Sequence, residues 1–147
     1  MTKKPTYEQL ERRVKELEEN FLECRRLEEK LRESEERCRA VFETAQDSIF
    51  VKDRDLRYIR VNPAMEKLLG LSASQLLGMT DEDLFGKEAA VHISESDHRV
   101  LSEEILEEEH TKPVQGIPRT FHLIKVPIRD SSGDVVGLCG IARDITQ

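Results

Sequence analysis

The residues with the widest chemical range in this 147-residue chain are four histidines and three cysteines. Metal binding or nucleophilic catalysis would need them at short, regular intervals, or near suitable partners. Cys24, Cys38 and Cys139 form no CxxC pair and share no spacing with histidine, so they indicate neither a disulfide framework nor a zinc site. They suit a reducing, cytoplasmic setting. None of His92, His98, His110 and His122 stands in the context that a phosphoacceptor helix requires. No glycine-rich nucleotide site and no cyclase signature is present, so the chain is read as having no catalytic site. One further residue stands out: Lys125 is the single cation amid Phe121, Leu123, Ile124, Val126 and Ile128, on the strand parity of Phe121 and Leu123.

The elements that must position these groups are uneven in composition. Hydrophobic residues make up 37% of the chain and charged residues 36%, against about 45–50% (Gly included) and about 25% in an average soluble domain. Residues 1–40 hold 11 basic and 11 acidic side chains, so the whole net charge of −7 lies beyond them. That acidity argues against a nucleic-acid partner, which requires clustered Lys and Arg. No apolar run approaches the roughly 20 residues that cross a bilayer, and MTKKPTYEQL has no signal-peptide core, so no membrane partner is expected.

Residues 1–40 read as a long helix, free of glycine and rich in Glu, Arg, Leu and Lys. Thr6 and Gln9 form a capping-box pattern after Pro5. Tyr7, Leu10, Val14, Leu17, Phe21 and Cys24 recur in steps of 3 and 4, a heptad seam. After Cys24 the frame through Glu28, Leu31, Glu35, Cys38 and Phe42 competes with one through Leu27, Leu31, Ser34, Cys38 and Val41, which reads as a stammer. A rod of about 40 residues is roughly 60 Å long, more seam than one small domain can cover. It is read as a parallel coiled-coil dimer joined through Leu10, Val14, Leu17, Phe21, Cys24 and Leu31, the alternative being a single helix lying on its own domain.

Residues 41–147 change texture. Strands are expected over Ser48–Asp53, Leu56–Val61, about Ile105–Lys112, Arg119–Ile128 and Val135–Ile145, with a hairpin turn at Asp130–Asp134. Between the second and third strands come short helices opened by Asn62-Pro63, Ser72 and Thr80, then a longer one from Lys87 to about Glu104. The order is α+β: an antiparallel sheet with helices gathered on one face.

Several stretches, in this order and spacing, resemble a PAS sensory domain: Ile49-Phe50-Val51-Lys52-Asp53, Tyr58-Ile59-Arg60-Val61-Asn62-Pro63-Ala64, Leu77-Gly78-Met79-Thr80-Asp81-Glu82-Asp83-Leu84-Phe85, and Gly137 through Thr146. The resemblance implies a five-stranded antiparallel sheet that encloses, with its helices, a pocket for a small molecule or cofactor. It also implies dimerisation through an N-terminal helix and relay to an output domain of the same protein, lying C-terminal to this chain. The Asp-Ile-Thr ending, Asp144, Ile145 and Thr146, resembles the junction where such domains of bacterial sensor histidine kinases pass into a signalling helix. This chain is accordingly expected to be the non-catalytic N-terminal sensory part of a longer kinase.

Within that implied pocket, Phe50, Met65, Leu68, Phe85, His92, Phe121, Lys125 and Leu138 are the candidate ligand-contacting residues, or else they simply fill the core. If the parity of Phe121 faces the pocket, Lys125 brings in an ammonium that could hold a carboxylate; otherwise it snorkels or pairs with an acidic neighbour. A flavin-adduct photoreceptor would show Asn-Cys-Arg-Phe where Asp81-Glu82-Asp83-Leu84-Phe85 stands. Haem would need an axial histidine on the long helix. His92, with apolar neighbours, is preferred there over His98, which follows Asp97 and reads as exposed. With no Trp and 5% aromatics, a small organic ligand, or none, outranks haem or flavin. Two alternatives stay open, a ligand-free dimerisation spacer and a haem or redox sensor. Asp144 is expected to pair with a cation such as Lys52 or Arg143, as a local cap or as a signalling latch.

Overall fold

The computed structural model describes residues 3–147. They form two compact units, the first ending at Val41 and the second running Phe42–Gln147. Helix α1, Tyr7–Thr44, supplies the first and ends inside the second. Its start is the expected box: the Gln9 N–H donates to Thr6 Oγ1 and the Thr6 N–H donates to Gln9 Oε1, at 3.2 and 2.9 Å. No residue of α1 is buried. Leu10, Val14, Leu17, Phe21 and Leu31 stand 46–66% exposed along it.

The second unit is a five-stranded antiparallel sheet in the order β2-β1-β5-β4-β3, with β1 Ser48–Asp53, β2 Tyr58–Val61, β3 Leu106–Val114, β4 Ile117–Arg129 and β5 Val135–Asp144. Between β2 and β3 lie α2 Pro63–Leu69, α3 Ala73–Leu76, α4 Asp81–Phe85 and α5 Lys87–Leu101. Alternate strand residues, among them Phe50, Phe121, Leu123 and Leu138, are buried with Met65, Leu76, Phe85, Ile93 and Val100 of the helices in one continuous core. Ile124, Val126 and Ile141 take the opposite parity and remain partly exposed. The helix starts follow the caps read from sequence. Asn62 accepts from the Met65 N–H, and Ser72 and Thr80 each complete a capping box.

Three boundaries differ from expectation, each for a local reason. Strand β2 begins at Tyr58 rather than Leu56 because the Asp53 carboxylate accepts from the Asp55 and Arg57 N–H groups, a tight turn that puts Leu56 at φ 60°. Helix α5 stops at Leu101 because Glu103 turns to φ 80°. The β3–β4 hairpin is longer than expected and closes on Gln115-Gly116, both at positive φ (51° and 77°), as a two-residue loop of this twist demands. Pro113 and Pro118 face each other in that extension. They are tolerated because β3 is an edge strand and β5 ends opposite Phe121.

Two strand glycines make room beneath the sheet. Gly140 lies between Phe50 of β1 and Lys125 of β4, and a Cβ there would stand 2.2 Å from the Phe50 ring. At Gly137 a Cβ would meet the Lys52 carbonyl oxygen at 2.2 Å.

Candidate functional site

Beneath the sheet the core becomes ionic. Lys52 shares the inward parity of Phe50 on β1. Lys125 shares that of Phe121 and Leu123 on β4. Asp97 faces inward because α5 buries Ile93, Ser96, Asp97 and Val100, the spacing of one helical stripe. Asp81 opens α4. Asp97 bridges both lysines, Oδ2 to Lys52 Nζ at 2.6 Å and Oδ1 to Lys125 Nζ at 2.8 Å. Lys52 also pairs with Asp81 Oδ2, whose Oδ1 accepts from the Tyr58 hydroxyl at 2.5 Å. Asp97 and Lys52 are completely buried, Lys125 and Tyr58 nearly so. Burial, reinforced by the Asp81 carboxylate, pushes the Tyr58 phenol well above its ordinary 10, so it remains a donor. Buried ions of this kind persist only when paired and hydrogen-bonded. This network meets that condition and ties α4 and α5 to three strands.

A third lysine has no such partner. Lys112 of β3 is 8% exposed and enters no ion pair or side-chain hydrogen bond among the described residues. Its ammonium lies 4.2 Å from the Phe85 ring centre and 5.1 Å from that of Phe121. Burial pulls it down to about 8 from an ordinary 10.5.

Most residues expected to line a pocket are brought together. Phe50, Met65, Phe85, Phe121 and Leu138 are buried in one cluster, with Leu68 packed at its margin. Open clefts lie at the rim. One, of about 580 Å³, borders Ala45, Asp47, Ala64, Leu68, Phe121 and Ala142. A second, of about 670 Å³, borders Leu56, Asp81, Ala90 and Ser94. Lys125 is interior as its parity required, but its ammonium is taken by Asp97. His92 is corrected: it stands outside, 47% exposed, because the stripe through Ile93 turns it away. There its ring stacks on His110 at 4.2 Å and its Nε2 lies 3.5 Å from Glu108. That position removes it as an axial ligand from within the core. His98 is exposed.

Asp144 is corrected as well. It pairs with Arg119 at 2.9 Å, while Arg143 pairs with Asp47 and Lys52 lies buried. The Thr146 hydroxyl and N–H, then Arg119, hold the Asp144 carboxyl below its usual range. Thr146 Oγ1 accepts from the Thr120 N–H and the Ile145 N–H donates to the Thr120 carbonyl, so this three-residue ending is fastened to β4. Cys24 is exposed with the other seam residues of α1.

Sequence reasoning misses Lys52, Tyr58, Asp81, Asp97 and Lys112. A signal is present for Lys52, which alternates with Phe50, and for Asp97, four residues after Ile93. Charge itself hides them, since a lone charge in an apolar stripe is ordinarily a surface residue.

Comparison with known proteins agrees with this architecture. The family model described as PAS fold matches residues 42–147. The methanogenesis regulatory histidine kinase FilI of Methanothrix harundinacea is 49% identical over 122 residues, which cover 81% of this chain and 14% of that protein. The chain thus spans about a seventh of that relative's length. The crystal structure of a PAS domain from Colwellia psychrerythraea aligns with TM-score 0.68 and 26% identity, covering 76% of this chain and 96% of that one. A domain of the sensory box sensor histidine kinase/response regulator of Geobacter sulfurreducens aligns with TM-score 0.65 and 30% identity, covering 78% and 96%. The sheet order, the helices on one face and these matches together place the chain in the PAS-fold family.

Proposed function

We propose that this chain is the sensory input of a histidine-kinase-type signalling protein, cytoplasmic and itself non-catalytic. In this reading the PAS unit binds a small ligand. The response then passes through paired α1 helices and the Asp144-Ile145-Thr146 ending to an output domain of the same protein. The observation that carries it is the buried network of Lys52, Asp81, Asp97 and Lys125. It joins helices to sheet through a few directional ionic bonds, so a ligand that competes for one of them shifts both helices against the sheet. The exposed stripe Leu10, Val14, Leu17, Phe21 and Leu31 supports pairing, since apolar side chains at heptad spacing favour a second helix. In addition, no helix among the described residues is long and apolar enough to cross a membrane.

The continuous buried cluster favours a second reading, a ligand-free dimerisation spacer. A thermal-shift screen of the whole chain against small anionic, neutral and cationic compounds, with native mass spectrometry of fresh protein, separates the two. A compound that raises Tm in proportion to its concentration, or a co-purified mass, supports the sensor. A flat screen with no added mass supports the spacer.

A further inference from the structure

We propose that the ligand of this sensory unit is a small apolar amino acid, bound as its zwitterion in the cleft that Ser48, Glu43 and Lys67 border. The inference rests on the sensor reading above and supplies the chemical class that it leaves open. The cleft, of about 580 Å³, falls in the range of about 300–1,000 Å³ usual for small-molecule sites. Small side chains hollow it out: Ala45 before β1, Ala64 on α2 and Ala142 on β5, with Leu68 and Phe121 as apolar walls. Ser48 supplies the polar group inside. It stands opposite Ala142 in the β1–β5 ladder, and Phe121 stands opposite Asp144 in the β4–β5 ladder. Residues directly opposite each other share a face of the sheet, so the Ser48 side chain lies on the inner face with Ala142 and Phe121, and all three border the cleft. Ser48 is more than nine-tenths buried, yet its hydroxyl makes no hydrogen bond among the described residues. A hydroxyl withdrawn from water without a partner costs free energy, which a ligand that bonds it recovers.

Charge at the rim sets the two ends of the ligand. Glu43 on α1 and Lys67 on α2 both border the cleft and are exposed. Neither enters an ion pair or a side-chain hydrogen bond among the described residues. Asp47 and Asp144 border it too, but Arg143 and Arg119 already hold them. One free carboxylate and one free ammonium, carried by different elements and not paired with each other, complement a molecule that bears both charges. A purely cationic ligand meets like charge at Lys67, and a purely anionic one meets it at Glu43. An amino acid sets its ammonium toward Glu43 and its carboxylate toward Lys67 and the Ser48 hydroxyl, with its hydrocarbon side chain on Leu68 and Phe121. Bound there, it lies against the end of α1 and against Asp144, the two ends of the proposed relay.

The test is isothermal titration of the whole chain with L-valine, L-leucine and L-phenylalanine, and with two truncated forms of leucine: isopentylamine, which lacks the carboxylate, and isocaproate, which lacks the ammonium. Wild type is compared with Lys67→Gln, Glu43→Gln and Ser48→Ala, each checked for folding by circular dichroism. At least one amino acid is expected to bind wild type at least tenfold tighter than either truncated form, and to weaken at least fivefold in every variant. Isopentylamine should bind no more weakly to Lys67→Gln than to wild type, and isocaproate no more weakly to Glu43→Gln. Amide shifts in wild type are expected at Ala45, Ser48 and Ala142, which keeps the proposal testable if Ser48→Ala does not fold. Amino-acid binding that ignores Lys67→Gln or Glu43→Gln, or shifts confined elsewhere, overturns the site. Equal or tighter binding of isopentylamine or isocaproate overturns the zwitterion assignment and leaves the sensor reading standing. Silence from all five probes overturns this proposal, and the broader screen above then decides on the sensor reading separately.

Discussion

Replacing Lys112 with Met removes a buried charge while keeping an unbranched side chain between the Phe85 and Phe121 rings. In the free protein the lysine's displacement from 10.5 to about 8 corresponds to about 3 kcal/mol held against folding while the ammonium is charged. Loss of the ring contacts returns about 1 kcal/mol, so Lys112→Met is expected to be more stable than wild type by about 2 kcal/mol at pH 7. For a unit of this size that raises Tm by about 10 °C. The sign of the pH dependence follows from the direction of the displacement. Between about 8 and 10.5 the unfolded chain still binds the lysine proton and the folded chain does not. Raising the pH through that window therefore stabilises wild type, and lowering it toward 8 restores the penalty in full. Urea denaturation of both proteins at pH 7 and pH 10.5 reads this directly, because all other titrations are common to the pair. The variant's advantage should shrink toward zero at the upper pH. A less stable variant at pH 7, or a pH-independent difference, would refute the reasoning.

Three other perturbations test the remaining elements. Asp97→Ala strands the Lys125 ammonium and leaves Lys52 with Asp81 alone, and should cost about 3–5 kcal/mol, the scale for one broken buried pair; a urea midpoint within error of wild type would mean the network is not stabilising. Gly140→Ala drives a methyl against the Phe50 ring and should cost about 1–3 kcal/mol, whereas an unchanged Tm would show that the ring turns aside freely. Leu10→Asp with Leu17→Asp should yield monomers by analytical ultracentrifugation while the spectrum of the PAS unit is preserved; a persistent dimer would move the interface off α1.

Periodicity makes the framework readable from the chain alone. Alternation in Ser48–Asp53 and the caps at Asn62, Ser72 and Thr80 are local signals, and the structure keeps them. The Gln115-Gly116 turn escapes such a reading because Pro113 and Pro118 look like strand breakers, yet both occupy positions where no ladder bond is required. The site is legible only in part. Parity places Lys125 inside, but nothing local reveals that Asp97, 28 residues away, meets it. Charged residues inside a core become visible only once their partners are known, and those partners come from different elements. His92 misleads for the related reason that apolar neighbours in sequence do not share its helix face.

Asn62 carries a consequence of another kind. Its carbonyl oxygen accepts from Ile49 and Met65, and its amide nitrogen donates to the Phe42 and Asp47 carbonyls. With all four positions of the amide engaged, this side chain works as a rivet through the last turn of α1, the lead-in to β1, β1 itself and α2. A rivet has no play. Movement of the α2 start must reappear at Phe42 or Asp47, or shear a bond that water cannot replace, so Asn62 couples these segments directly.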